Sequence, residues 1–344
     1  MTDRRIGIIG AGAIGGNIGG MLTLAGQDVT LIDQWPEHVD AMKKNGLTMT
    51  WPDGVKVAKV RALHIHELQS VTDPFDYAVV AVKSYDTDWA THLIKGYVKP
   101  EGAFISAQNG INDERIASIV GRDREVGCVV TIGAGMYEPA HVRRTDRNAY
   151  GFEIGELDGS NSPRAQELAK IWAGVAETHV TTNLMGHRWS KLMVNCMANA
   201  VAGLTGQGSA ETRTIPELRR IGIQLGAETA RVAKALGYKT DPVMGISPAE
   251  IIDAAEGRNV EQVEMKLLGT AERTAGGRPS FGQDVLKGRR TEIEYLNGYV
   301  AEQGRKAGVK TPFSDAITKL VIDLGVGFKA DPAHIKPLVK MLPH

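Results

Sequence analysis

Two cysteines, Cys128 and Cys196, are all that this chain of 344 residues contains. They are too few to staple it and lack the paired spacing of a zinc site, so no metal site is expected and a reducing compartment, the cytoplasm, is. Charge of one sign is missing too, because 40 Lys and Arg balance 40 Asp and Glu. Nucleic acid and acidic membranes are therefore poor partners. No apolar run reaches the roughly 18 residues of a membrane span. The stretch from Ile6 to Gly20 behind Arg4-Arg5 is too broken by glycines to read as a leader. Repeats, low-complexity tracts and long charged tails are also absent, so both halves should be ordered. What the chain has in abundance is glycine, 40 residues, within a composition that is 42% hydrophobic. Length and composition together describe a globular protein of about two domains.

The first half alternates short β-branched runs with helix-like segments: Ile6 to Ile9, Val29 to Ile32, Tyr77 to Val82, Ala103 to Ser106 and Val126 to Ile132. Continuous apolar strands joined by helices predict a parallel sheet covered on both faces. The polar loop Glu156 to Pro163 ends in a Ser-Pro helix start, and a strand over 178–182 should close this domain. From residue 183 onward the pattern is helical, with Pro216, Pro248, Pro279 and Pro312 near helix starts and Gly237 and Gly308 near helix ends. The expected architecture is an α/β Rossmann dinucleotide-binding domain over 1–182, followed by an all-α domain over 183–344.

Gly10-Ala11-Gly12-Ala13-Ile14-Gly15 follows the first strand and opens a helix carrying Ile18, Met21, Leu22 and Leu24. In that context Gly10 permits the tight turn, Gly12 lets the backbone approach a pyrophosphate, and Gly15 lets helix and strand pack closely. Asp33 ends the second strand, where a Rossmann fold places the acid that accepts hydrogen bonds from the adenosine ribose. A carboxylate about 4 Å from a 2′-phosphate would cost roughly 1 to 4 kcal/mol, and Gln34 supplies no compensating positive charge. NAD(H) is therefore preferred to NADP(H). The plainer role for Asp33 is to shape the turn before Trp35-Pro36.

Trp189 to Val201 is almost entirely apolar, so a helix here would be buried on most faces. Lys191, Asn195 and Asn199 interrupt it at intervals of four, forming one stripe about 12 Å long. Burying a cation and two amides without partners would cost several kcal/mol, which suggests a polar ligand, ordered water or another domain against that stripe. The bland alternative is a surface lysine above two helix-packing asparagines. Lys83 and Asn109 fall at the carboxyl ends of two predicted strands, the edge where open α/β sheets bind ligands, although a solvated lysine and an Asn-Gly turn also account for them. His64 and His66 share one face of a possible strand; with no third ligand nearby they read as a surface ribbon.

These segments, in this order, resemble the ketopantoate reductases (2-dehydropantoate 2-reductases). The resemblance rests on Gly10 to Gly16, Val82-Lys83, Gln108-Asn109-Gly110, Trp189 to Asn199, and Ser280 to Asp284 followed by Thr291 to Gly298. It spans about residues 5 to 312. It implies reduction of a 2-oxo acid such as ketopantoate to its 2-hydroxy acid by a nicotinamide cofactor, in a cleft between a Rossmann and a helical domain. Lys191 would be the general acid, with Glu292 as a second catalytic-site residue that accepts a hydrogen bond from a substrate hydroxyl. Asn195 and Asn199 would orient substrate polar groups, Ser280 would help bind the carboxylate, Asn109 would hold cofactor and substrate, and Lys83 would line the cofactor cleft. A homodimer is the assembly the family suggests.

Two features depart from the family pattern. Familiar members mostly use NADPH and carry a basic residue where this chain has Asp33-Gln34, leaving NADP(H) as the family-based alternative. The stretch between Asn199 and Ser280 is also longer, including 244–274, so one wall of the pocket is expected to be rebuilt. Ser280 and Glu292 would stand about 18 Å apart on one straight helix, so Ser280, following Pro279, is expected to sit off the helix proper. Competing functions are an NAD-dependent D-2-hydroxyacid dehydrogenase on the same scaffold and an NAD(H)-binding sensor without turnover, for which the Lys191 stripe would have no use.

Overall fold

The computed structural model describes residues 4–145, 150–272 and 276–343. The chain divides into two compact units, Met1–Leu184 and Met185–His344. Strands of the first unit are β1 (Arg5–Ile9), β2 (Asp28–Asp33), β3 (Leu47–Trp51), β4 (Gly54–Ala58), β5 (Arg61–His64), β6 (Phe75–Val80), β7 (Val98–Ser106), β8 (Glu125–Val130), β9 (Ala134–Glu138), β10 (His141–Arg144), β11 (Tyr150–Glu156) and β12 (Glu177–Val180). Its helices are α1 (Ala13–Leu24), α2 (Pro36–Asn45), α3 (Thr87–Lys95), α4 (Asp113–Val120) and α5 (Pro163–Trp172).

Eight strands form one sheet in the order β12-β11-β8-β7-β6-β1-β2-β5. From β8 to β5 every pairing is parallel, while β11 runs antiparallel to β8 and parallel to β12. Alternation along the strands sends Ile8, Leu31, Val79 and Ile105 to one face and Ile9, Ile32, Val80 and Phe104 to the other. Each set is buried in its own cluster, the first with Leu22 of α1 and Leu168 of α5, the second with Ile94 of α3 and Ile116 of α4. Coverage of both faces explains why these strands read as unbroken apolar runs rather than as alternating ones.

A second sheet, ordered β4-β3-β10-β9, does not follow from the apolar runs. Its strands are short and half polar, and β3 pairs in parallel with β10 from far along the chain. The local signal was the hairpin Thr50-Trp51-Pro52-Asp53-Gly54-Val55, in which Trp51 pairs with Gly54 across a two-residue turn. This sheet packs on α1, whose glycines are sorted by face. A Cβ on Gly19 would press into Leu31 of the large sheet, whereas one on Gly20 would lie 2.7 Å from Met49 Sδ in the small one. The His64/His66 ribbon is corrected as well: β5 stops at His64, and His66 falls in the following 3-10 turn, Ile65–Ser70. The two rings stack with centroids 5.2 Å apart, and His64 Nε2 lies 2.9 Å from Asp40.

The second unit is built of α6 (Leu184–Thr205, whose first residue belongs to the first unit), α7 (Glu211–Thr214), α8 (Pro216–Ala235), α9 (Pro248–Ala255), α10 (Val260–Gly269), α11 (Ser280–Leu286), α12 (Asn297–Ala307), α13 (Pro312–Leu324) and α14 (Lys336–Val339). No strand occurs among its described residues, and no helix among the described residues is long and apolar enough to cross a membrane. Pro216, Pro248 and Pro312 each occupy the first helical position, where their missing N–H costs nothing. The N-terminus of α13 is closed from a distance. Buried Glu228 of α8 accepts the N–H groups of Phe313 and Ser314, both at 2.8 Å, and the Ser314 hydroxyl at 2.6 Å. Burial raises its carboxyl above the usual range, a rise these hydrogen bonds only partly oppose.

Part of the segment between α8 and α11 packs on α6. Val243, Ile246, Ile251, Val263 and Leu267 cluster with Met193 and Met197 of α6. Those methionines stand two residues on from Lys191 and Asn195, about 200° around the helix, so these five residues back a face of α6 away from the stripe. Residues 273–275 at its end lie outside the described residues.

Candidate active site

The first unit's candidates all lie on connections at the carboxyl edge of the large sheet. From β1 the chain steps outward through β2 to β5 and then returns to the other side of β1 at β6. Strand order reverses between β1 and β6, where open α/β sheets take their ligands. Gly10 leaves β1 there, Asp33 ends β2, Lys83 follows β6 and Asn109 follows β7.

The glycine loop is shaped by contacts that no side chain would permit. Gly10 has φ +94°, and a Cβ on it would lie 2.7 Å from the Val82 nitrogen. A Cβ on Gly15 would strike the Gly10 carbonyl oxygen and reach 3.0 Å from Ala81 Cβ. At Gly12 an added side chain would meet no atom within 4 Å, so the space before α1 is open. Gly12 caps α1 with no side-chain hydrogen bond, and no acid stands in the first turn. Uncapped amides facing open space fit a pyrophosphate.

Asp33 is half-buried, and both carboxylate oxygens are engaged. Oδ2 accepts the Ala11 N–H at 2.7 Å and Oδ1 accepts the Trp35 N–H at 2.9 Å. The turn-shaping role weighed for Asp33 is therefore present, and it extends to the glycine loop. Each oxygen retains a lone pair for a ribose hydroxyl. Gln34 beside it is exposed.

Lys83 and Asn109, distant in sequence, sit on two loops knitted together. Gln108 Nε2 donates to the Val82 carbonyl at 2.8 Å and to the Thr87 hydroxyl at 2.9 Å. Asn112 Nδ2 donates to the Asn109 carbonyl at 3.0 Å and to Ser84 Oγ at 3.1 Å, and that hydroxyl also bonds the Asn109 carbonyl. Arg115 reaches the Ser84 carbonyl at 2.7 Å. Gln108 and Asn112 are buried, so this network fixes the spacing of the two loops away from water's competition. Asn112 and Ser84 carry no spacing signal, and the sequence did not single them out.

In the second unit, Lys191, Asn195 and Asn199 fall on α6 as one stripe. Asn195 is 5% and Asn199 6% exposed, with Lys191 half-buried, so the stripe is no solvated face. Packing holds the helix in place: Trp189 lies against the rings of Tyr238 and Tyr299, with centroids 6.0 and 5.9 Å away. Ser190 Oγ accepts the Asp241 N–H at 2.8 Å. Burial pushes the neighbouring Cys196 thiol up to about 12, which removes it as a nucleophile.

Glu292 is 4% exposed and precedes the 3-10 turn Ile293–Tyr295. Its segment is tied to α6 where Asn297 Nδ2 donates to the Cys196 carbonyl at 3.4 Å, beside Asn195. Ser280 differs from expectation, since it opens α11 with Pro279 as the cap instead of lying off the helix. The helix ends at Leu286, so no straight helix joins Ser280 to Glu292 and the 18 Å separation does not apply. Phe281 packs where Gly203 of α6 has no side chain, one turn beyond Asn199. Ser280 thus belongs to the end of the stripe away from Lys191. Among the described residues, no three His, Cys, Asp or Glu side chains converge as metal ligands.

Comparison with known proteins matches residues 6–159 to the family Ketopantoate reductase PanE/ApbA and residues 183–324 to Ketopantoate reductase PanE/ApbA C terminal. The 2-dehydropantoate 2-reductase of Pyrococcus horikoshii is 30% identical over 331 residues, covering 94% of this chain and 100% of that protein. A PanE/ApbA family ketopantoate reductase from Ralstonia eutropha has a similar structure, with TM-score 0.77, 26% identity and coverage of 93% and 98% of the two chains. D-mandelate dehydrogenase, solved with NADH and anilino(oxo)acetate, is similar at TM-score 0.79 and 26% identity, covering 93% of this chain and 97% of that one.

Proposed function

This chain belongs to the ketopantoate reductase family of oxidoreductases acting on CH–OH groups, and we propose that it reduces a hydroxylated 2-oxo acid of the ketopantoate type with NADH, using Lys191 as general acid. The observation that carries this reading is the α6 stripe, one lysine and two buried amides at intervals of four within the largely apolar stretch from Trp189 to Val201. Gly10, Gly12 and Gly15 would hold the pyrophosphate of the dinucleotide and Asp33 its adenosine ribose, and the bound nicotinamide would supply the hydride. As charge develops on the substrate's carbonyl oxygen, the Lys191 ammonium stabilises it and delivers a proton; in the reverse direction the neutral amine takes the proton back. Asn195 and Asn199 orient the acid, Ser280 contributes to carboxylate binding, and Lys83 and Asn109 hold the nicotinamide end. Support for NADH over NADPH comes from the Asp33 carboxylate and the absence of a cation at Gln34.

Glu292 selects the substrate class by accepting a hydrogen bond from a hydroxyl beyond the reacting carbon. A substrate lacking that hydroxyl forgoes a hydrogen bond to a buried carboxylate and should lose about 2 kcal/mol of transition-state binding, roughly thirtyfold in kcat/KM. Steady-state kinetics with ketopantoate and 2-oxoisovalerate test this in wild type and in Glu292→Gln, where the gap should narrow. Equal use of both by the wild type would favour the second reading, an NAD-dependent D-2-hydroxyacid dehydrogenase, which the structural similarity to D-mandelate dehydrogenase supports. No turnover with any 2-oxo acid despite NADH binding would instead indicate a sensor. A homodimer is part of the proposal, checked by a solution mass of twice 37.0 kDa.

A further inference from the structure

His38 is 0% exposed, and neither the glycine pattern nor the strand-end reasoning singles it out. It stands in the first turn of α2, stacked on Trp35 with ring centroids 5.5 Å apart. Its two ring nitrogens meet two backbone groups of opposite kind. Nδ1 lies 2.8 Å from the Ala140 nitrogen, whose N–H can only donate. Nδ1 is therefore the acceptor, the ring hydrogen sits on Nε2, and Nε2 donates to the Ala11 carbonyl at 2.9 Å.

Ala11 lies between the first two glycines of the loop, and its neighbours in the fold hold it on both sides. Its N–H goes to Asp33 and its carbonyl to His38, so the short segment from Asp33 to His38 fixes both adjoining peptide planes. A trans peptide is planar, with its C=O and the next residue's N–H pointing in opposite directions. With the Ala11 carbonyl turned toward His38, the Gly12 N–H points the other way. That leaves it at the uncapped start of α1, where an added side chain on Gly12 meets nothing within 4 Å.

We propose that His38 is a positioning residue for the dinucleotide loop, which by holding the Ala11 carbonyl aims the Gly12 amide at the pyrophosphate of NAD(H). The proposal rests on the reading of this loop as the NAD(H) site. His38 also supports Ala140, which has φ +52° at the β9–β10 turn, so a test must separate loop positioning from general stability. His38→Gln places an amide donor near the position of Nε2 and gives up the bond from Ala140. His38→Asn does the reverse, offering an acceptor near Nδ1 and releasing the Ala11 carbonyl. Calorimetric titration with NADH should give a Kd raised at least about tenfold in His38→Asn and within about threefold of wild type in His38→Gln, while the two variants lose similar amounts of Tm. Equal Kd values in the two variants, the opposite order, or failure of both to fold would overturn the proposal and leave His38 a purely structural residue. Wild-type protein that binds no NADH would overturn the cofactor reading itself, an outcome distinct from wild-type binding with indistinguishable variants.

Discussion

The two units offer a ligand different kinds of atoms. In the first, the groups at the dinucleotide loop are mainly backbone amides, and the side chains that matter, Asp33 and His38, hold peptide planes in place. In the second, backbone amides and carbonyls are spent within α6, and the proposed chemistry would rest on the side chains of Lys191, Asn195 and Asn199. A backbone site tolerates many side chains provided certain positions have none. A side-chain site tolerates almost any backbone neighbour provided three positions keep their functional groups.

The sharpest way to break this contrast is at Lys191. Lys191→Ala should lower kcat by on the order of 10² or more with NADH affinity nearly unchanged, because no nucleotide contact is assigned to it. Lys191→Arg should not rescue the rate, since a guanidinium keeps its proton near neutral pH. Stopped-flow reduction alongside NADH titration reads both quantities, and near-wild-type turnover by the arginine variant would remove the lysine as the acid.

At Asp33 the contrast predicts a compound effect. Replacing Asp33 by Ser together with Gln34 by Arg should move the NADPH/NADH ratio of kcat/KM about tenfold or more toward NADPH. Both absolute values should nevertheless fall, because the substitution also frees the Ala11 and Trp35 amides. A clean switch without loss would show that the loop does not need its carboxylate. A wild-type preference for NADPH would reject the assignment of Asp33 outright.

The smallest effect belongs to the helical unit's own stability. Burial raises the Glu228 carboxyl, so its contribution is present at low pH and lost as pH rises through the folded-state value. Compared with the non-titrating Glu228→Gln, the wild type should gain Tm on going from about pH 8 to pH 5, by a few degrees at most. A Tm difference that stays flat over that range would place the ionised carboxylate in α13's cap at no net cost.

Legibility in the sequence followed the same division. Gly10 and Gly15 were readable because only the absence of a Cβ fits those places, Gly12 because it stands between them before open space, and the large sheet because burial on both faces leaves unbroken apolar runs. The α6 stripe stood out because three polar residues are anomalous on a buried helix. His38, Ser84 and Asn112 were not readable, since each acts through backbone groups that folding brings near and no spacing records. The small sheet escaped for a related reason: β3 finds β10 across about half of the first unit, and only the Pro52-Asp53 turn betrays half of it.

The glycines of α1 have a consequence in time. Gly15, Gly16, Gly19 and Gly20 each cost a helix interior roughly 1 kcal/mol relative to alanine, and α1 has neither an acidic first turn nor a basic last one to offset them. Alone, this segment would stay unwound in water. It becomes a helix only when gripped from both sides, by Leu31 of the large sheet and by Met49 and Val142 of the small one. Val142 comes from β10. During synthesis, therefore, the loop that would hold the nucleotide leaves the ribosome well before β10 and acquires its shape late, after more than a hundred further residues have emerged to complete its second wall.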